Sequence, residues 1–134
     1  MNKILLDTCI IIPFLRGDQS SLIALKNFDF YMSIITHAEL TYGINKSNKK
    51  ESELSNYNKL IDILGIKIIN LDSNSVNKFA EVKLYLNSTG QKLEDLDVFI
   101  AATALSENIP LATYNLKHFQ RIPNLILYQI DNEE

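Results

Sequence analysis

The chain has 134 residues, enough for one hydrophobic core and too few for two, so residues 1–134 are expected to form a single domain. With 46% hydrophobic and 22% charged residues, 4 Gly and 3 Pro, the composition excludes a disordered chain or a long flexible linker. A net charge of −3 argues against a broad basic footprint for nucleic acid, though bound divalent cations can supply positive charge locally.

Lys3 to Leu6 is a short apolar run that reads as a buried strand. Asp7 and Thr8 can cap a helix that continues through the apolar Ile10 to Leu15 and stops at Gly17. Pro13 is expected in or near its first turn, or as a kink. A second short helix is expected from Gln19 to about Lys26. Phe30 to Ile34, aromatic and branched, reads as the second strand, followed by a helix from Thr36, its expected N-cap, to about Asn45.

Lys50 to Leu64 carries Leu54, Tyr57, Leu60, Ile61 and Leu64 at helical spacing and ends at Gly65. Ile66 to Leu71 reads as strand three. Asp72 or Ser73 caps a helix to about Asn87, with Val76, Phe79, Ala80, Val82 and Leu86 as its expected inner face. Glu94 to Glu107 reads as a nearly buried helix, Pro110 to Tyr114 as strand four and Leu125 to Gln129 as strand five. Strands alternating with helices predict an α/β fold: a mainly parallel sheet of about five strands with helices on both faces.

No apolar run reaches the roughly 18–20 residues of a membrane span, so no membrane partner is expected. The first apolar run is broken by Asp7 and Thr8 and has no basic leader. The single Cys9 cannot form an internal disulfide, which suits a reducing, cytoplasmic location. Cys9 itself reads as a small core filler.

In such a sheet, ligands sit beyond the carboxyl ends of the strands. Asp7 directly follows strand one, Glu39 lies one turn into the helix after strand two, and Asn115 directly follows strand four. Asp97 begins a helix that runs antiparallel to strand four. About a dozen residues rise roughly 18 Å, which carries Asp97 back to the same edge. Each acid also has a plain alternative role. Asp7 can cap its helix, Thr36 and Glu39 match a capping box, and Asp97 suits a helix dipole. Together, three carboxylates at one edge repel unless a cation is present. An all-oxygen set suits Mg²⁺ or Mn²⁺, not zinc.

Four segments taken in order then resemble one family. They are Leu5 to Thr8 (LLDT), Ser33 to Gly43 (SIITHAELTYG), Asp97 to Leu105 (DVFIAATAL) and Leu111 to Phe119 (LATYNLKHF). The chain resembles the PIN domain from Lys3 to about Tyr128, with its nearest likeness to the VapC toxins of toxin–antitoxin pairs. The resemblance implies a three-layer PIN-like sandwich and a metal-dependent endoribonuclease using Mg²⁺ or Mn²⁺. Asp7, Glu39 and Asp97 match the family's metal ligands, Asn115 stands where the family carries Asp or Asn, and Thr8 and Thr113 match polar positions around the site. A homodimer, a cognate antitoxin and RNA targets (tRNA, rRNA or mRNA) are implied as well. Arg16 is the basic residue best placed to touch substrate, ahead of Lys83, Lys92, Lys117 and Arg121. His37 is expected on the helix surface or at a dimer face, and His118 reads as structural more readily than as catalytic.

Other readings are a PIN-like scaffold without catalysis, a non-toxin RNA-processing nuclease of the same fold, a receiver-like phosphoacceptor and a dinucleotide-binding enzyme. The receiver reading lacks the adjacent acids after strand one and the Lys after strand four. The dinucleotide reading lacks any G-x-G-x-x-G.

Overall fold

The computed structural model describes residues 2–130. The expected single domain, residues 1–134, therefore includes five positions (1 and 131–134) that lie outside the described residues. Five parallel strands form one sheet: β1 (Asn2–Leu6), β2 (Phe28–Ser33), β3 (Lys67–Ile69), β4 (Leu111–Ala112) and β5 (Leu127–Tyr128), in the order β3-β2-β1-β4-β5. The chain builds outward from β1 to β3, then crosses back to place β4 on the other side of β1. The switch in direction thus falls between β1 and β4, where Leu5 pairs with Leu111 and Leu6 with Ala112.

Alternation of side chains along β1 divides the core. Ile4 and Leu6 face a layer made by α1 (Thr8–Leu15), α2 (Ser20–Ala24), α3 (Ile34–Asn45) and α4 (Lys50–Leu64), with Ile10, Leu22, Leu40 and Leu60 against them. Leu5 faces the other layer, where Val82 and Leu86 of α5 (Ser73–Ser88) and Val98 and Ala101 of α6 (Asp95–Glu107) close the second core. Phe79 of α5 stacks on Phe99 of α6 at 3.8 Å between ring centroids. The α/β three-layer expectation holds.

Several local expectations are corrected. Thr36 is not an N-cap: the strand ends at Ser33, whose hydroxyl accepts from the Ile35 N–H and starts α3 three residues earlier. The Thr36–Glu39 capping box is therefore not made. Pro13 lies in the second turn of α1, two residues before its end, so only the last turn loses a backbone bond. The inner face of α5 is narrower than expected, with Val76 and Ala80 exposed, and Leu54 of α4 is exposed too. Strands three to five are shorter than their apolar runs, and a short helix, α7 (Leu116–Phe119), follows β4 unforeseen. Gly65 ends α4 at φ 63, a left-handed turn that glycine adopts without strain.

Candidate active site

The site forms at the β1/β4 switch point, where an open α/β sheet leaves a crevice beyond its carboxyl edge. Asp7, the first residue after β1, is only 3% exposed. Its N–H donates to the Ala112 carbonyl at 3.0 Å, which ties the acid to the end of β4. The carboxylate is fully engaged. Oδ1 accepts from the Thr8 N–H at 2.8 Å, as an N-cap does, and Oδ2 accepts from Thr113 Oγ1 at 2.7 Å and from the Cys9 thiol at 3.4 Å. The capping role anticipated for Asp7 is real, and it leaves the other oxygen facing β4.

Glu39, half-buried in α3, accepts a 2.7 Å hydrogen bond from Thr8 Oγ1. The buried Thr36 hydroxyl lies 3.3 Å from the same Thr8 oxygen. Thr8 thus joins the helix after β1 to the helix after β2. Thr113 repeats the device: it donates to Asp7 and accepts from the Asn115 N–H at 3.0 Å. Thr8 and Thr113 fix the carboxylates of the two helices and strands that meet here.

Asp97 differs. It is half-buried in the first turn of α6, and its side chain has no hydrogen-bond partner among the described residues. Its carboxyl is held above the usual carboxylate range, first by burial and then by the negative charges of Asp7 and Glu39, with His118 opposing the shift and Glu94 adding to it. Thr8 links Glu39 to Asp7, and Glu39 and Asp97 line one cavity. As the side chains lie, no three His, Cys, Asp or Glu among the described residues are close enough to hold an ion. The donor set is nevertheless all oxygen, carboxylates with threonine hydroxyls, which suits a hard divalent cation.

Asn115 is exposed at the N-terminus of α7, its side chain making no capping bond. Arg16, exposed at the end of α1, lines a cavity of about 420 Å³ that Glu39 shares. A second cavity, about 730 Å³, opens on the other side of Glu39 and is lined by Asp97, His118, Lys92 and Arg121. His118, which read as structural more readily than as catalytic, is exposed there. His37 is half-buried, with Nδ1 2.7 Å from Tyr57 Oη and its ring stacked on that tyrosine. The Cys9 thiol, a donor to Asp7 and an acceptor from the Tyr114 N–H, is pushed up to about 11 by burial and then by the Asp7 charge. The sequence pattern flagged the acids but missed Cys9 as a donor to Asp7, because a lone thiol carries no spacing signal.

Known proteins resemble the chain over most of its length. The PIN domain profile matches residues 4–125. Ribonuclease VapC2 of Rickettsia felis is 38% identical over 106 residues, covering 79% of this chain and 78% of the relative. Ribonuclease VapC1 of Methanocaldococcus jannaschii is 31% identical over 121 residues, covering 90% and 82%. Among solved structures, VapBC2 of Rickettsia felis bound to a DNA fragment from its promoter superposes with a TM-score of 0.88 at 33% identity, over 96% of this chain and 98% of that one. VapBC-1 of nontypeable Haemophilus influenzae gives 0.82 at 29% identity, over 94% and 96%. With its acids gathered at the β1/β4 switch point and these relatives matching over most of its length, the chain belongs to the PIN-domain family, among the VapC ribonucleases.

Proposed function

We propose that this chain is the toxin of a toxin–antitoxin pair, an endoribonuclease that hydrolyses RNA phosphodiester bonds and depends on Mg²⁺ or Mn²⁺. The observation that carries it is the convergence of Asp7, Glu39 and Asp97 at one sheet edge, with Asp97 held above the usual carboxylate range by burial and then by the charges of the other two. Such repulsion is relieved by a cation and has no use in a scaffold that has lost catalysis.

Asp7, Glu39 and Asp97 would hold the ion, and Asn115 would join through water. When bound, a divalent cation there supplies a water of lowered pKa and neutralises charge on the scissile phosphate. Thr113 and Thr8 keep the Asp7 and Glu39 carboxylates oriented before substrate arrives. Asp97, with no hydrogen bond to give up, is the acid free to turn toward a ligand. Arg16 is placed for a phosphate on the α1 side of the acids. In the hydrolysis, a water oxygen bonds to phosphorus and the bond to the 3′ oxygen breaks. That oxygen leaves as a 3′-hydroxyl, and the phosphate stays on the 5′ end.

The partners proposed are an RNA (tRNA, rRNA or mRNA), a cognate antitoxin, and a second copy of the chain in a homodimer. No helix among the described residues is long and apolar enough to cross a membrane, and a cytoplasmic location is proposed with the single-domain reading of residues 1–134. The test incubates purified protein with total tRNA in Mg²⁺, Mn²⁺ or EDTA. Cleavage is expected only with metal, and Asp97→Asn is expected to lower the rate about a thousandfold, since several kcal/mol of charge stabilisation is lost. Equal cleavage in EDTA, or full activity of Asp97→Asn, would overturn the mechanism.

A further inference from the structure

Glu39 lines two cavities. On the α1 side, the apolar Ile12, Leu15, Leu40 and Ile44 line the cavity together with Arg16 and Lys46. On the α6 side, the larger cavity is walled by the segment leading into α6 on one hand and by α7 and its exit on the other. Three groups able to donate to phosphate line it: Lys92, His118 and Arg121. Four carboxylates share its wall, Glu39, Glu94, Asp95 and Asp97, and Lys83 pairs with Asp95 at 3.0 Å and offsets one of them.

These donors are not scattered. The Arg121 Nη1 donates to the Lys92 carbonyl at 3.2 Å, so the guanidinium is anchored beside the lysine with donors to spare. His118 lines the same cavity as Asp97. A chain whose net charge is −3 has thus brought three donors to the cavity that Glu39 and Asp97 also line.

We propose that Lys92, His118 and Arg121 form a track that holds the RNA backbone on the α6–α7 side of the scissile phosphate, each donor taking a phosphate oxygen. This rests on the ribonuclease reading above. The contacts read backbone and not base, so they confer hold and register without sequence preference. The track also explains how an acidic protein keeps a polyanion: the repulsion is confined to the acids, and the donors flank them.

The experiment measures binding of a fluorescein-labelled oligouridylate by anisotropy across a salt series in Mg²⁺. Cleavage is silenced with Asp7→Asn, a residue that does not line the track. The Lys92→Ala/Arg121→Ala pair is expected to weaken binding about tenfold at low salt. It should also flatten the slope of log affinity against log salt by about 1.4, or 0.7 per lost contact to a single strand. Lys49→Ala/Lys50→Ala, which removes the same charge from the exposed start of α4, should leave the slope unchanged. In cleavage by the otherwise native protein, the track pair should raise KM with little change in kcat. If Arg121→Ala melts early, Arg121→Lys, which keeps the charge, replaces it and should recover the slope. Unchanged binding in the track pair, an equal change in the Lys49/Lys50 pair, or no binding by the parent would each overturn the track. Failure of the ribonuclease reading would show separately, as native protein that binds RNA but never cleaves it.

Discussion

The two ends of the acid cluster are built on opposite plans. At the end of β1, Asp7 is 3% exposed and accepts from an amide, a hydroxyl and a thiol. At the start of α6, Asp97 is half-buried, unpartnered among the described residues and pushed toward protonation. One carboxylate is rigid because the strand ends supply its donors. The other is held in place only by its helix and stays responsive to whatever charge arrives. A site needs both: a fixed reference and a group that can adapt.

The contrast can be broken most visibly at Cys9. The same burial that holds Asp7 raises the thiol from 9.0 to about 11, which leaves roughly a hundredfold less thiolate at neutral pH. Iodoacetamide should label native Cys9 about a hundred times more slowly than the unfolded chain, and equal rates would mean the β1 end is open and wet. Next comes Thr113→Val, which keeps the shape and removes the donor to Asp7 Oδ2. Cleavage should fall roughly 10- to 100-fold, the usual effect of losing a partner that orients a ligand, at a cost of about 1–3 kcal/mol in stability. An unaffected rate would show that Asp7 needs no fixing.

The smallest effect is expected at Asp97, without metal. A carboxyl whose folded pKa lies above its unfolded value stabilises the fold at pH below the unfolded value, and that contribution is lost as pH rises through the folded one. Asp97→Asn should therefore raise the melting temperature of metal-free protein at neutral pH, with the gain fading under acid. Urea or heat melts across pH would check it, and a lower melting temperature at neutral pH would contradict the strain assigned to Asp97.

The three acids were legible in the sequence because strand ends and helix starts are local, and parallel topology does the rest. Their supports were less so. Thr8 and Thr113 entered by resemblance, and their donor roles depend on β4 pairing with β1. The Thr36–Glu39 box looked complete in isolation, yet Ser33 lies three residues earlier and took the cap, leaving Glu39 free for Thr8. The narrow inner face of α5 was illegible for a related reason. Helical periodicity marks an apolar stripe, but neighbouring elements decide how much of it is covered, and Val76 is 48% exposed.

The bond from Thr113 to Asp7 spans 106 positions of the chain. Ends that far apart meet only after β4 has threaded in beside β1, which makes this contact a late event in the assembly of the fold. A chain cut short before Leu111 would retain all three acids and still lack the strand that orients the first of them. The capacity to damage RNA would then be withheld from a growing polypeptide until Thr113 had been made and β4 had paired with β1.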